Sequence, residues 1–426
     1  MPLGIIKSVE QCFLTVSNGQ GSADYALTKG QDPANCVPFA TYVGTTTSNS
    51  TPNQNVFNFI MLDSPPRVRA QRGGSTQTHN TAIYVVEFEP SKVKVQQGSW
   101  EIIASATVDT VTLGDSIVKN NSALITYYKY SSSSVIPREM LVASRVLSNT
   151  QIQMERIYAA TSVCTGNYYV MEALNGEWAV THYDSGDQTG FLVNYTIPSV
   201  VMNRTFLIGS TKSDATAANY VERWAWYFRL ENSTTVQMYR WVAVNTYRHY
   251  FQVIECADDS IFVQHRYVYE AALAYNEWTL PQPVDPQRAI AHNANTHIPV
   301  IATDGNAMHP GICRHYLKTN GTVLRIERYL SGADDCFFVG SVIEFTGTEY
   351  FCEGTVQVDD TLTSGIEVRL YRRSDSELVG SEITTVSGTF SIPTRHHDEN
   401  HYAIAMSPGS GTNSLIYDWI NPTISG

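Results

Sequence analysis

Arg72, Arg156, Arg240 and Arg328 recur along the chain at intervals of 84, 84 and 88 residues. Each is followed after 15 or 16 residues by a glutamate: Glu87, Glu172, Glu255 or Glu344. A guanidinium and a carboxylate that return together can form an ion pair across neighbouring strands, or cap backbone groups that would otherwise be buried without a partner. Four copies of one polar pair point to specification of a fold. A ligand-binding role would require every copy to take the same small molecule.

Other chemistry-bearing residues are less regular. His292, His297, His309, Cys313 and His315 lie close in sequence, as do His396, His397 and His401, but neither group has the HxH or HExxH spacing of a metal site. No GxSxG elbow, phosphate-cradling glycine loop or calcium-binding loop occurs, so the chain offers no catalytic residues and calls for no cofactor. Tyr127, Tyr128, Trp241, Tyr247 and Tyr250 form the aromatic candidates. Such rings pack protein interfaces or stack on sugars, and repeated domains that must bury surface against one another favour the interface.

The elements that must hold these residues are strands. Val236 and Met238 lead to Arg240 at a period of two, and Val253 shares its face with Glu255, so residues 230–240 and 251–255 predict a hairpin. The positions two and four before the other arginines hold Val68 and Ala70, Ile152 and Met154, and Leu324 and Ile326; the position two before each glutamate is a valine. In the first three copies a third strand is expected ten residues beyond the glutamate. An internal period of this length predicts an all-β array: four tandem small β-sandwich repeats at 1–100, 101–185, 186–279 and 280–346, the last short. The proline-rich stretch 280–286 is expected to be a stiff joint before the short copy. Residues 347–426 change pattern and predict a separate β-sandwich of about seven short strands, Ig-like or transthyretin-like.

Composition narrows the function. The formal charge is −12, with 28 basic against 40 acidic residues, which argues against a phosphate-backbone ligand and so against nucleic acid. No apolar run approaches a bilayer span and no secretory signal is visible, so no membrane partner is expected. Seven cysteines, an odd number without paired spacing, predict buried reduced thiols.

The repeated motif, Asn232, Thr234, Val236, Met238 and Arg240 followed by Val253, Ile254 and Glu255 in its third copy, resembles the repeated β-domains of tailed-bacteriophage virion proteins. The series Gly354-Thr355-Val356, residues 365–371, Leu378-Val379-Gly380 and Ser387-Gly388-Thr389-Phe390 resembles the carboxypeptidase-regulatory-like, transthyretin-type sandwich, which carries no catalytic residues. These resemblances imply a non-enzymatic surface component of the virion, assembled in the bacterial cytoplasm. Its expected role is capsid decoration, with major capsid or tail proteins and further copies of itself as partners. The alternative is a tail-associated adhesin that contacts host surface glycans.

Overall fold

The computed structural model describes residues 4–44, 56–74, 78–131, 139, 141–214, 226–240, 246–258, 260–270, 275–294, 313–318, 320–328, 336–346, 350–358, 361–373, 376, 378–394, 400–406, 415–420 and 423–424. The chain is all-β and divides into two compact units, Ile5–Phe345 and a unit built from Thr346–Gly426.

The larger unit holds four repeats of six strands. Repeat one comprises β1 (Ile6–Val16), β2 (Ser22–Ala26), β3 (Cys36–Gly44), β4 (Phe57–Leu62), β5 (Arg67–Arg72) and β6 (His79–Phe88). Repeat two comprises β7 (Val93–Ile102), β8 (Val108–Thr112), β9 (Ser122–Tyr130), β10 (Ala143–Ser148), β11 (Gln151–Glu155) and β12 (Cys164–Ala173). Repeat three comprises β13 (Trp178–Gln188), β14 (Leu192–Thr196), β15 (Thr205–Ser213), β16 (Tyr227–Asn232), β17 (Thr235–Tyr239) and β18 (Tyr247–Cys256). Repeat four comprises β19 (Phe262–Glu270), β20 (Tyr275–Thr279), β21 (Ala289–His292), β22 (Cys313–Leu317), β23 (Val323–Arg328) and β24 (Cys336–Glu344).

Every repeat folds the same way, into two antiparallel three-stranded sheets. The sixth strand is the centre of one, between the first and the third, and the fifth is the centre of the other, between the second and the fourth. The central strands are covered on both faces, which is why Ile83, Tyr84, Val85 and Val86 form an unbroken apolar run with at most 1% exposure. Burying each such side chain contributes roughly 1.5–3 kcal/mol relative to leaving it in water.

Strand pairing corrects three expectations. The predicted hairpin does not form: β17 pairs with β14 and β16, whereas β18 pairs with β13 and β15, so the two alternating stretches are the centres of different sheets. The strand ten residues beyond each glutamate opens the next repeat. β7, for example, pairs with β12 and not with β6. The boundaries therefore fall near 90, 175 and 260, and the fourth repeat is complete, with six strands like the others. The stretch 280–286 then lies inside repeat four, fixed by bonds from Leu280 N to Thr322 O and from Val284 N to Gly321 O, each within 3.0 Å.

The four repeats close into a ring, because repeat four packs on repeat one. Thr41 Oγ1 accepts from His315 N at 2.8 Å and donates to His315 O at 3.2 Å, and Tyr84 Oη accepts from Leu317 N at 2.7 Å. One apolar core runs through the whole unit. At its centre Phe39, Ala123 and Phe206 meet Phe88, Met171, Ile254 and Ile343, leaving only about 10 Å³ of free space. The middle of the ring is solid protein.

The unit at Thr346–Gly426 has a core of its own, centred on Cys352, Val356, Val368, Leu370, Phe390 and Ile392. Strands β25 (Tyr350–Thr355), β30 (Thr389–Thr394) and β33 (Thr423–Ile424) form one sheet. Strands β28 (Glu367–Arg372), β29 (Leu378–Ile383), β31 (His401–Ala405) and β32 (Leu415–Ile420) form the other, and β26 (Gln357–Val358) pairs with β27 (Thr361–Leu362). This is the small sandwich that the sequence predicts.

Candidate functional site

The recurrent arginines are buried, with 0–3% exposure, at or just beyond the end of the fifth strand of each repeat. In three of them the guanidinium serves the loop between the first and second strands. Arg72 donates from Nε and Nη2 to Gln20 O and from Nη2 to Ser17 O. Arg156 donates to Ala106 O, Ile103 O and Ser162 O. Arg240 donates to Gly190 O and Thr189 O, and its guanidinium carbon lies 3.9 Å from the ring centroid of Tyr247. Arg72 Nη1 also meets His79 Nδ1 at 2.7 Å; since a guanidinium only donates, that nitrogen accepts and His79 is neutral. Burial lowers Arg72 and Arg240 to about 10, which leaves both charged at neutral pH.

The recurrent glutamates do a different job at the other end of the sixth strand. Each accepts a backbone N–H at the start of the turn leading into the third strand: Glu87 from Asp32, Glu172 from Val118, Glu255 from Val201 and Glu344 from Asp285, at 2.6–3.2 Å. His79, which Arg72 touches, and Glu87 are eight positions apart along β6, roughly 27 Å in an extended strand. The cross-strand ion pair therefore does not form. Capping of backbone groups is what Arg72, Arg156, Arg240 and the four glutamates do.

Of the aromatic candidates, Trp241 lies outside the described residues, as do His297, His309, His396 and His397. The remaining four tyrosines are buried. Two fill junctions between repeats. Tyr127 Oη donates to Pro38 O and accepts from Ala40 N, and Tyr250 Oη donates to Glu155, which also pairs with Lys212 at 2.7 Å. Tyr128 accepts from Val142 N within repeat two, and Tyr247 lies under Arg240. None offers an exposed ring face.

His292 Nε2 donates to Leu207 O and His315 Nε2 to Val339 O, and burial lowers each to about 4. Among the described residues no three His, Cys, Asp or Glu side chains converge on a metal-sized site. Cys12, Cys36, Cys164, Cys256, Cys313 and Cys352 are buried thiols. No helix among the described residues is long and apolar enough to cross a membrane.

The sequence reading missed a cleft of about 160 Å³ between repeats three and four. Leu207, Phe228 and Leu230 form its apolar wall, and Arg229, Glu231, His265, Arg266, Tyr267 and Ser341 supply its polar lining. Arg229 lies 3.7 Å above the ring of Tyr267 and pairs with Glu231. The signal for this cleft is a loss of bulk at matched positions, visible only once the copies are aligned by strand register.

No family model matches the chain, and no curated protein matches it. Among solved structures, the Bacillus anthracis TIE protein aligns over 97% of this chain and 73% of its own, at 8% identity and a TM-score of 0.14. Likeness at that level carries no argument about fold or role.

Proposed function

We propose that this chain is a non-enzymatic structural protein of a tailed-phage virion, placed on the particle surface as a decoration or auxiliary protein. The observation that carries this reading is the use made of its recurrent chemistry. Arg72, Arg156 and Arg240 cap carbonyls, the four glutamates cap amides, and the described tyrosine candidates are packed inside the ring. Such groups stiffen a scaffold and leave no nucleophile with a partnered base among them. Partners would be major capsid or tail proteins and further copies of the chain, with large buried contacts supplying the affinity.

The test uses particles lacking the protein. Addition of purified chain should restore its place on the particle surface, seen by electron microscopy, and raise the temperature at which particles release their contents. Failure of the chain to bind such particles would overturn the proposal.

A second reading, an adhesin that contacts host glycans, is favoured by one observation: the cleft between repeats three and four carries polar groups against an apolar wall. Saturable binding to host cells without any effect on particles would favour it over the first.

A further inference from the structure

At three of the four junctions a side chain from the sixth strand of one repeat satisfies the backbone of its neighbour. The position lies three residues before the recurrent glutamate. Tyr169 Oη donates to Phe59 O and accepts from Met61 N, Tyr84 Oη accepts from Leu317 N, and Gln252 both donates to and accepts from the backbone of Leu124. In repeat four the same position is Ser341, which makes no bond across its junction among the described residues. A second matched position, on the third strand, bridges through Thr41, Tyr127 and Ser210 but is Ala294 in repeat four. The junction between repeats three and four therefore lacks both bridges, and the cleft of about 160 Å³ opens beside it.

Histidines hold this junction instead. On the first strand, the residue opposite the sixth-strand position reaches back to a carbonyl of the adjacent repeat: Gln11 to Leu317 O, Gln97 to Pro33 O, His182 to Lys119 O and His265 to Met202 O. His292 Nε2 donates to Leu207 O at 2.7 Å from a third-strand position that is Phe39, Ile125 or Ile208 in the other repeats. Beside these bonds Gly209 N donates to Ala294 O at 2.6 Å, and Tyr227 Oη to Tyr267 Oη. The junction between repeats two and three also uses one histidine, His182, but it keeps the Gln252 and Ser210 bridges.

Among the described residues neither His265 nor His292 has a counter-charge. Around His292, Lys7 and Glu10 on β1 serve Glu87 and the amides of Thr28 and Lys29, and Glu344 on β24 accepts from Asp285 N. Lys212 on β15 pairs with Glu155, Arg314 on β22 pairs with Glu327, and Cys12, Cys36, Tyr42, Cys313 and His315 are buried. Around His265, Glu255 accepts from Val201 N, Arg204 donates to Ala257 O and Arg266 lies over Trp278.

We propose that this junction is an acid-operated seam: on mild acidification the ring parts here while its other three junctions stay closed. With the seam closed, each Nε2 carries the proton it donates, and a second proton would place an unpaired charge in the interior. Parting the seam hydrates both rings, and each takes up one proton from water. Burial lowers His292 to about 4 and lowers His265 as well, against roughly 6.5 in water. Closure is thus fully favoured above about pH 6.5 and is lost as pH falls towards 4. His292 alone shifts the equilibrium towards opening about thirtyfold between pH 7.5 and pH 5. The cleft, which His265 lines, gives water its way in. The inference stands whether or not the chain is a virion component.

The experiment is amide hydrogen exchange of the full chain, corrected for the intrinsic effect of pH. Gly209 reports on the seam, and Met61, Leu124 and Leu317 report on the other junctions. Protection of Gly209 should fall at least tenfold from pH 7.5 to pH 5, and that of the three controls less than threefold. The double variant His265→Gln, His292→Gln keeps donors for Met202 O and Leu207 O without a titrating ring, and should abolish the response. His265→Gln alone, which installs the residue found at the first junction, should weaken it and keeps the test open if the double variant does not fold. Protection of Gly209 that is insensitive to pH, an equal loss at all four junctions, or a full response in either variant would each overturn the proposal.

Discussion

Gln252 and Leu124 exchange two hydrogen bonds of 2.8 Å each across the junction between repeats two and three, the side-chain amide standing in for the backbone of a neighbouring strand. Leu124 is in β9, an edge strand of its sheet, and an edge strand presents N–H and C=O groups that need partners once buried. Gln252→Ala removes both partners. Urea denaturation should register a loss of about 2–4 kcal/mol, since each buried backbone group left unpaired costs about 1–3 kcal/mol. A loss under about 0.5 kcal/mol would mean that water replaces the amide.

The arginine caps yield a second prediction. Arg156 donates to three carbonyls from a site that is 2% exposed. Arg156→Met keeps the bulk, strands those carbonyls and should cost about 3 kcal/mol or more. Arg156→Lys should recover little of it, because a single ammonium cannot reproduce the planar fork. Equilibrium unfolding of the two variants decides this; full rescue by lysine would show that charge alone matters.

Stability should fall on the acid side of neutrality. His292 and His315 are held neutral in the ring at about 4, and His249 at about 3, against roughly 6.5 in an unfolded chain. Between those values the unfolded state binds more protons than the folded one, so stability is complete above about pH 6.5 and declines as pH falls towards 4. Each histidine contributes a slope of about 1.4 kcal/mol per pH unit within that window. His292→Gln, whose amide can still donate to Leu207 O, should show a shallower dependence of melting temperature on pH. An unchanged slope would contradict the assignment.

Two compact units with separate cores should unfold separately. Val368 and Leu370 are fully buried in the core of the unit at Thr346–Gly426. Val368→Asp should abolish the transition of that unit in scanning calorimetry and leave the transition of Ile5–Phe345 within a degree or two. A parallel loss of both would show that the units do not fold independently.

How much of this was legible beforehand follows from the distance over which each signal acts. Alternation over a few residues placed the strands, the fourfold return of Arg240 and Glu255 announced the repeats, and the change of pattern after residue 346 marked the second sandwich. Pairing was another matter. Ile83 lies between Cys12 and Ala40, 71 and 43 residues away, and no local pattern encodes which distant strand a central strand will join. Hence two successive central strands read as a hairpin, and the opening strand of each repeat was assigned to the repeat before it. That Arg240 follows Met238, and Glu255 follows Val253, on one face of its own strand was visible in sequence, but the placement of the two residues in different sheets, at opposite ends of a repeat, was not. The cleft was missed because Ser341 is unremarkable until it is set beside Tyr84, Tyr169 and Gln252.

Closure of the ring is most directly tested by amide hydrogen exchange at His315 and Leu317, whose N–H groups bond to Thr41 and Tyr84 of the first repeat. Both amides should be protected as strongly as those of β24, and Thr41→Val should selectively speed exchange at His315. Exchange of both at the rate of an open strand edge, with β24 still protected, would contradict a closed ring.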